Sequence, residues 1–104
     1  MDPVLAMTTT STEREAKHLA SLFVRENVAA CVQIISRIQS IYKWQGEIHD
    51  EQEYLLLIKT EDKRIKDLKK LIEKNHSYEV PEFIVLPIID GSDTYFKWMQ
   101  ENTK

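Results

Sequence analysis

Cysteine is nearly absent: Cys31 stands alone among 104 residues. No disulfide can close within the chain, so packing must hold the fold. Glycine occurs twice and proline three times, which excludes glycine-rich phosphate loops and flexible linkers. No run approaches the eighteen or so apolar residues that a membrane helix requires, and residues 1–7 lack the charged start and apolar stretch of a signal peptide. A cytoplasmic setting with no membrane partner is therefore expected, unless a segment was removed. Positive charge is not in excess either. Fourteen Lys and Arg face seventeen Asp and Glu, for a net charge of -3, and the cations gather in no one segment, so nucleic acid is not an expected partner. Repeats and low-complexity tracts are also missing.

What is present is the ordinary mixture of a folded domain, 42% hydrophobic and 30% charged. A chain of this length supports one core, so residues 1–104 are read as a single domain. Val4–Met7 is a short apolar run that leads through Thr8, Thr9 and Thr10 into a turn, and it predicts a first strand. Thr12 stands three positions before Glu15, the spacing of a capping box. Ala16, Leu19, Ala20, Phe23 and Val24 then recur at helical spacing, and Asn27 supplies a left-handed stop. From Ala29 to Tyr42 the chain is dense in Val and Ile, and the break in alternation at Ile34-Ile35 predicts a bulge or bend in a long strand.

Gly46 separates that strand from a returning one at Glu53–Lys59, which predicts a hairpin whose acidic tip, 47–53, is exposed. Ile65, Leu68, Leu71 and Ile72 mark a second helix with a solvated lysine face, closed by Asn75-His76 and Pro81. Phe83–Leu86 reads as a fourth strand, and Asp93–Asn102 as a short terminal helix. The order β-α-β, β-α-β is the split arrangement of α+β, ferredoxin-like (βαββαβ) folds, with both helices on one face of an antiparallel sheet. Strands that are apolar at successive positions leave the opposite face to be covered by sister chains, so a homo-oligomer is expected.

Five co-linear segments carry a family resemblance: Thr8–Thr10, Ala29–Val32, Ser40–Glu47, Leu55–Thr60 and His76–Glu82. Together they resemble the CutA divalent-cation-tolerance family over nearly the whole chain. The resemblance implies a homotrimer with long hairpins wrapped onto neighbours, and a role in divalent-cation tolerance with copper as the metal. It also implies an architectural likeness to the PII nitrogen-signalling proteins. That likeness leaves open a signalling or scaffolding module that binds a small molecule or partner protein at subunit clefts. Ser77 stands where this family commonly has proline, which is expected to loosen the backbone there.

Cys31 and His76 are the soft and borderline ligands that copper or zinc prefers, and Glu79 and Glu82 add oxygen, so these four form the candidate metal set. The cation expected is copper or another divalent metal, with none required for folding. Cys31 reads equally as a small hydrophobe within a strand, and His76 as a helix C-terminal residue. His49 is expected to be solvated at the hairpin tip, and His18 on the wet side of the first helix. Lys59 is either a cation facing a subunit cleft or a partner for Glu79 or Glu82. Tyr42 and Trp44 are either interface anchors or a stacking platform for a ligand. Only Cys31 with His76 offers a catalytic dyad, and an apolar strand disfavours a thiolate, so no enzyme is expected.

Overall fold

The computed structural model describes residues 2–104. In chain order they form β1 (Pro3–Thr10), α1 (Glu13–Arg25), β2 (Cys31–Trp44), β3 (Glu47–Glu61), a 3-10 turn (Asp62–Arg64), α2 (Ile65–Asn75), β4 (Ile84–Pro87) and α3 (Asp93–Glu101). The four strands make one antiparallel sheet in the order β2-β3-β1-β4. This is an α+β architecture.

Helix α1 starts as its spacing predicts. The Thr12 hydroxyl accepts the Glu15 amide at 3.1 Å, satisfying one of the donors that a first turn leaves free. It stops in a Schellman motif: the Val28 amide donates to the Phe23 carbonyl and the Asn27 amide to that of Val24, each at 3.1 Å, with Asn27 at φ 59°. Ala16, Leu19 and Phe23 are fully buried. Val24, expected among them, is 42% exposed, because eight residues carry it about 80° around the helix from Ala16, to the edge of the stripe.

The core lies between these helices and one face of the sheet. Ala6 of β1 and Leu56 and Ile58 of β3 pack with Leu19 and Phe23 of α1 and Leu68 and Ile72 of α2. Burial of each large side chain contributes about 1.5–3 kcal/mol. The alternate positions build the outer face in cross-strand rows: Leu86, Leu5, Lys59 and Cys31; then Ile84, Met7, Leu57 and Gln33; then Thr9, Leu55 and Ile35. Helix α3 covers one end of that face. It packs on β3, with the Lys59 ammonium 5.5 Å from the Tyr95 ring centre and the Thr103 hydroxyl on the buried Glu61 carboxylate. Elsewhere the face is open, and Ile35, Ile84 and Leu86 are each 44% exposed.

Three boundaries differ from the sequence expectation. β1 runs on through the three threonines, because Thr8, Thr9 and Thr10 pair with Leu56, Leu55 and Tyr54. The bulge sits at Ser36-Arg37, two residues after the break in alternation, where both residues oppose Tyr54 and Arg37 adopts φ 59°. The segment 47–53 is paired strand; its residues from Glu47 to Gln52 are exposed or half-buried, in keeping with an exposed tip, and Glu53 is buried. Gln45 and Gly46 alone make the turn, at φ 50° and 82°, the two positive values of a type I′ turn.

Candidate functional site

Beyond the bulge the extra residue reverses which positions of β2 share the outer face. Ile38, Ser40, Tyr42 and Trp44 now lie opposite Glu53, Glu51, His49 and Glu47. This arm of the hairpin forms one wall of a cleft of about 700 Å³, and the segment 77–82 after α2 forms the other. Its lining sorts by chemistry. Glu51, Glu53, Glu79 and Glu82 supply carboxylates, Tyr42, Trp44 and Tyr78 supply aromatic surface, and Thr9, Ser11, Ser40 and Ser77 supply hydroxyls. No Lys, Arg or His is among its lining residues.

His76 builds the second wall from behind. Its side chain is completely buried. The Tyr78 amide can only donate, so Nδ1 accepts it at 3.0 Å, and Nε2 carries the proton given to the Thr9 carbonyl at 2.7 Å. Both nitrogens are engaged within the fold, tying the loop to β1. Ser77 is pinned as well: its amide and its hydroxyl donate to the two Glu15 oxygens, each at 2.8 Å. The expected loosening at Ser77 is therefore not found, since serine keeps the N–H that a proline lacks. Glu15 does not reach back to close the capping box, because Ser77 takes its carboxylate.

Tyr78 is held over the cleft by this anchoring and donates its hydroxyl to Glu53 Oε2 at 2.6 Å. Burial first, and the Glu53 carboxylate second, raise its phenol well above the ordinary value. Desolvation and then Glu51 raise Tyr42 in the same direction. Burial and the like charge of Glu53 raise the Glu82 carboxyl. Negative charge is thus gathered without a basic side chain lining the cleft to relieve it.

Of the four expected metal ligands, Glu79 and Glu82 line the cleft, His76 stands behind it and Cys31 lies elsewhere. The row of Cys31 is four residues along the strands from that of Thr9, roughly 13 Å, and two strands across, roughly 10 Å. The same separation keeps Cys31 and His76 from meeting as a dyad. Among the described residues no group of three or more His, Cys, Asp and Glu side chains is gathered closely enough to hold a metal ion.

Lys59 approaches neither Glu79 nor Glu82, since its register places it under Tyr95 at the far end of the sheet. His49 is not free at a tip; it stacks on Tyr42 at 5.3 Å and lies 3.5 Å from Glu51. His18 is exposed as expected. Tyr78, Glu51 and Glu53 escaped the sequence reading. The signal for Tyr78 was its place two residues after a buried histidine; the two glutamates become visible only when the bulge fixes the register.

Comparison with known proteins matches residues 4–102 to the family described as CutA1 divalent ion tolerance protein. The divalent-cation tolerance protein CutA of Thermus thermophilus is 43% identical over 103 residues, covering 99% of both chains. The chloroplastic protein CutA of Arabidopsis thaliana is 42% identical over 98% of this chain, which spans only 57% of that protein's length. Among solved structures, CutA1 from Oryza sativa superposes with a TM-score of 0.97 at 35% identity, over 100% of this chain and 95% of that one.

Proposed function

The chain belongs to the CutA1 divalent ion tolerance family, and from that premise we propose that it serves divalent-cation tolerance as a trimer, taking the cation, copper or another divalent metal, at its carboxylate-lined cleft. One observation carries this reading: Glu51, Glu53, Glu79 and Glu82 line one cavity that has no basic lining residue. No three of them stand close enough to form a ready-made ligand shell, so the cation is drawn by the negative field of the cavity and the carboxylates close on it. Burial first, and the like charge of Glu53 second, raise Glu82, and a cation in the cleft relieves the second. Carboxylate oxygens suit hard divalent ions and also accept copper, which binds most O and N sites more tightly than its neighbours do. No catalytic step is part of the proposal, and its setting is the cytoplasm.

The assembly rests on the outer face. Ile35, Ile84 and Leu86 form an apolar surface that one chain leaves partly open. Antiparallel neighbours in the order β4-β1-β3-β2, with both long helices against one face, support a ferredoxin-like subunit, the architecture that such an assembly uses. Sedimentation should give a trimer at micromolar concentration; a stable monomer contradicts the interface.

Titration with Cu²⁺ and Mn²⁺ tests the site. Replacing the four glutamates by glutamine should abolish binding, while Cys31→Ala should leave it unchanged. The opposite pattern returns the site to the thiol. A second reading, a signalling module that takes a small molecule at the same cleft, is favoured by the aromatic surface of Tyr42, Trp44 and Tyr78, which a bare metal ion does not need.

A further inference from the structure

The cleft combines features that a metal ion alone does not use. Glu53 is only 7% exposed, although it lines the cavity. Tyr78 occupies its Oε2; among the described residues Oε1 accepts no hydrogen bond, and no Lys, Arg or His side chain lies within salt-bridge distance. That oxygen is not sealed from solvent but opens on the cavity, where a ligand's donor can reach it and be worth more than at a fully exposed carboxylate. Around it stand three aromatic rings, whose faces are negative and attract an organic cation, most strongly at tryptophan. The volume of about 700 Å³ is that of a small-molecule pocket and far exceeds what one ion fills.

We propose that the cleft binds an aliphatic primary amine in its ammonium form, the head group donating to Glu53 and the carbon chain lying along Tyr42 and Trp44. The amine's three N–H donors match the free Glu53 oxygen and the hydroxyls of Ser11 and Ser40. Its methylene groups cover aromatic surface that is otherwise wet. This inference rests on the reading of the cleft as the cation site and names a second class of cation for it. A free amine and a polypeptide lysine present the same head group.

The experiment is calorimetric titration of the assembled protein with n-butylamine and with N-acetyl-lysine N-methylamide, using n-butanol as the uncharged isostere. One or both amines should bind, the tighter naming the source, and n-butanol should not. Glu53→Gln keeps an acceptor for Tyr78 but removes the charge, and should weaken amine binding about tenfold or more. Trp44→Leu should weaken it as well, with the melting temperature confirming that each variant is folded. Butanol binding equal to that of butylamine, or full affinity in Glu53→Gln, overturns the inference. So does the failure of both amines to bind at millimolar concentration, as when sister chains fill the cleft. A Cu²⁺ titration of the same samples keeps the two readings apart: a cleft that takes the metal and refuses amines sinks this inference alone.

Discussion

At the scale of single residues, one histidine shows how a ligand type can be consumed by structure. His76 bridges the Thr9 carbonyl and the Tyr78 amide from a fully buried position. His76→Leu keeps the volume but orphans both groups, and each buried orphan costs about 1–3 kcal/mol. Urea unfolding should therefore show a loss of roughly 2–4 kcal/mol, while Cu²⁺ affinity in the folded protein stays within about twofold. Ser77→Pro should lower stability by about 1 kcal/mol through the two hydrogen bonds lost to Glu15.

Glu82 gives the sign of a pH effect. Burial and Glu53 raise its folded-state pKa above the ordinary 4.5, so the folded state holds that proton more tightly than the unfolded chain does. The destabilisation is present in full above the raised value and fades as pH falls toward 4.5. Glu82→Gln should thus raise the melting temperature slightly at pH 7, with the gain disappearing at about pH 4. A gain that grows on acidification contradicts the assigned direction. Residue chemistry of this kind was only partly legible: Cys31, His76, Glu79 and Glu82 were found by type, but type does not say which atoms a fold has already engaged.

At the scale of elements, the sequence spoke most clearly where local physics decides. The α1 cap at Thr12, its stop at Asn27 and the apolar stripe of α2 all follow from interactions within a few residues. The hairpin was harder. Alternation fails at Ile34-Ile35, yet the bulge forms at Ser36-Arg37, since pairing with Tyr54 rather than hydrophobicity sets its place. Acidic residues at 47–53 read as the hairpin's exposed tip because their side chains are polar, yet they pair with Ile38–Trp44 across a two-residue turn. Arg37 holds a left-handed conformation at φ 59° without being glycine, at a cost of about 1 kcal/mol. Arg37→Gly should recover up to that amount in denaturant unfolding. Gln45→Asn should gain about 0.5 kcal/mol, asparagine being favoured at the first position of a type I′ turn.

At the scale of the whole molecule, the chain spans 45 × 26 × 21 Å, elongated by strands of 14 and 15 residues that project past the helices. The apolar count of the strands foretold an uncovered sheet face, and that face is partly open, with α3 closing only the Lys59 end. Leu86→Glu places a charge on its β4 edge, in the row of Leu5 and Lys59, where the leucine is 44% exposed. Sedimentation of this variant should give a monomer where the parent chain gives the proposed trimer, whereas a variant that assembles as the parent does moves the contact elsewhere.

The bulge at Ser36-Arg37 also acts as a phase shifter. Were the strand to run straight through Ser36 and Arg37 with both residues kept in the ladder, no residue of the cleft would change, yet every side chain from Ile38 to Trp44 would exchange inside for outside. Ile41 and Lys43 would then stand where Tyr42 and Trp44 do now, replacing an aromatic wall by a repelling ammonium. One residue that touches nothing in the cavity thereby decides whether the cavity welcomes positive charge or turns it away.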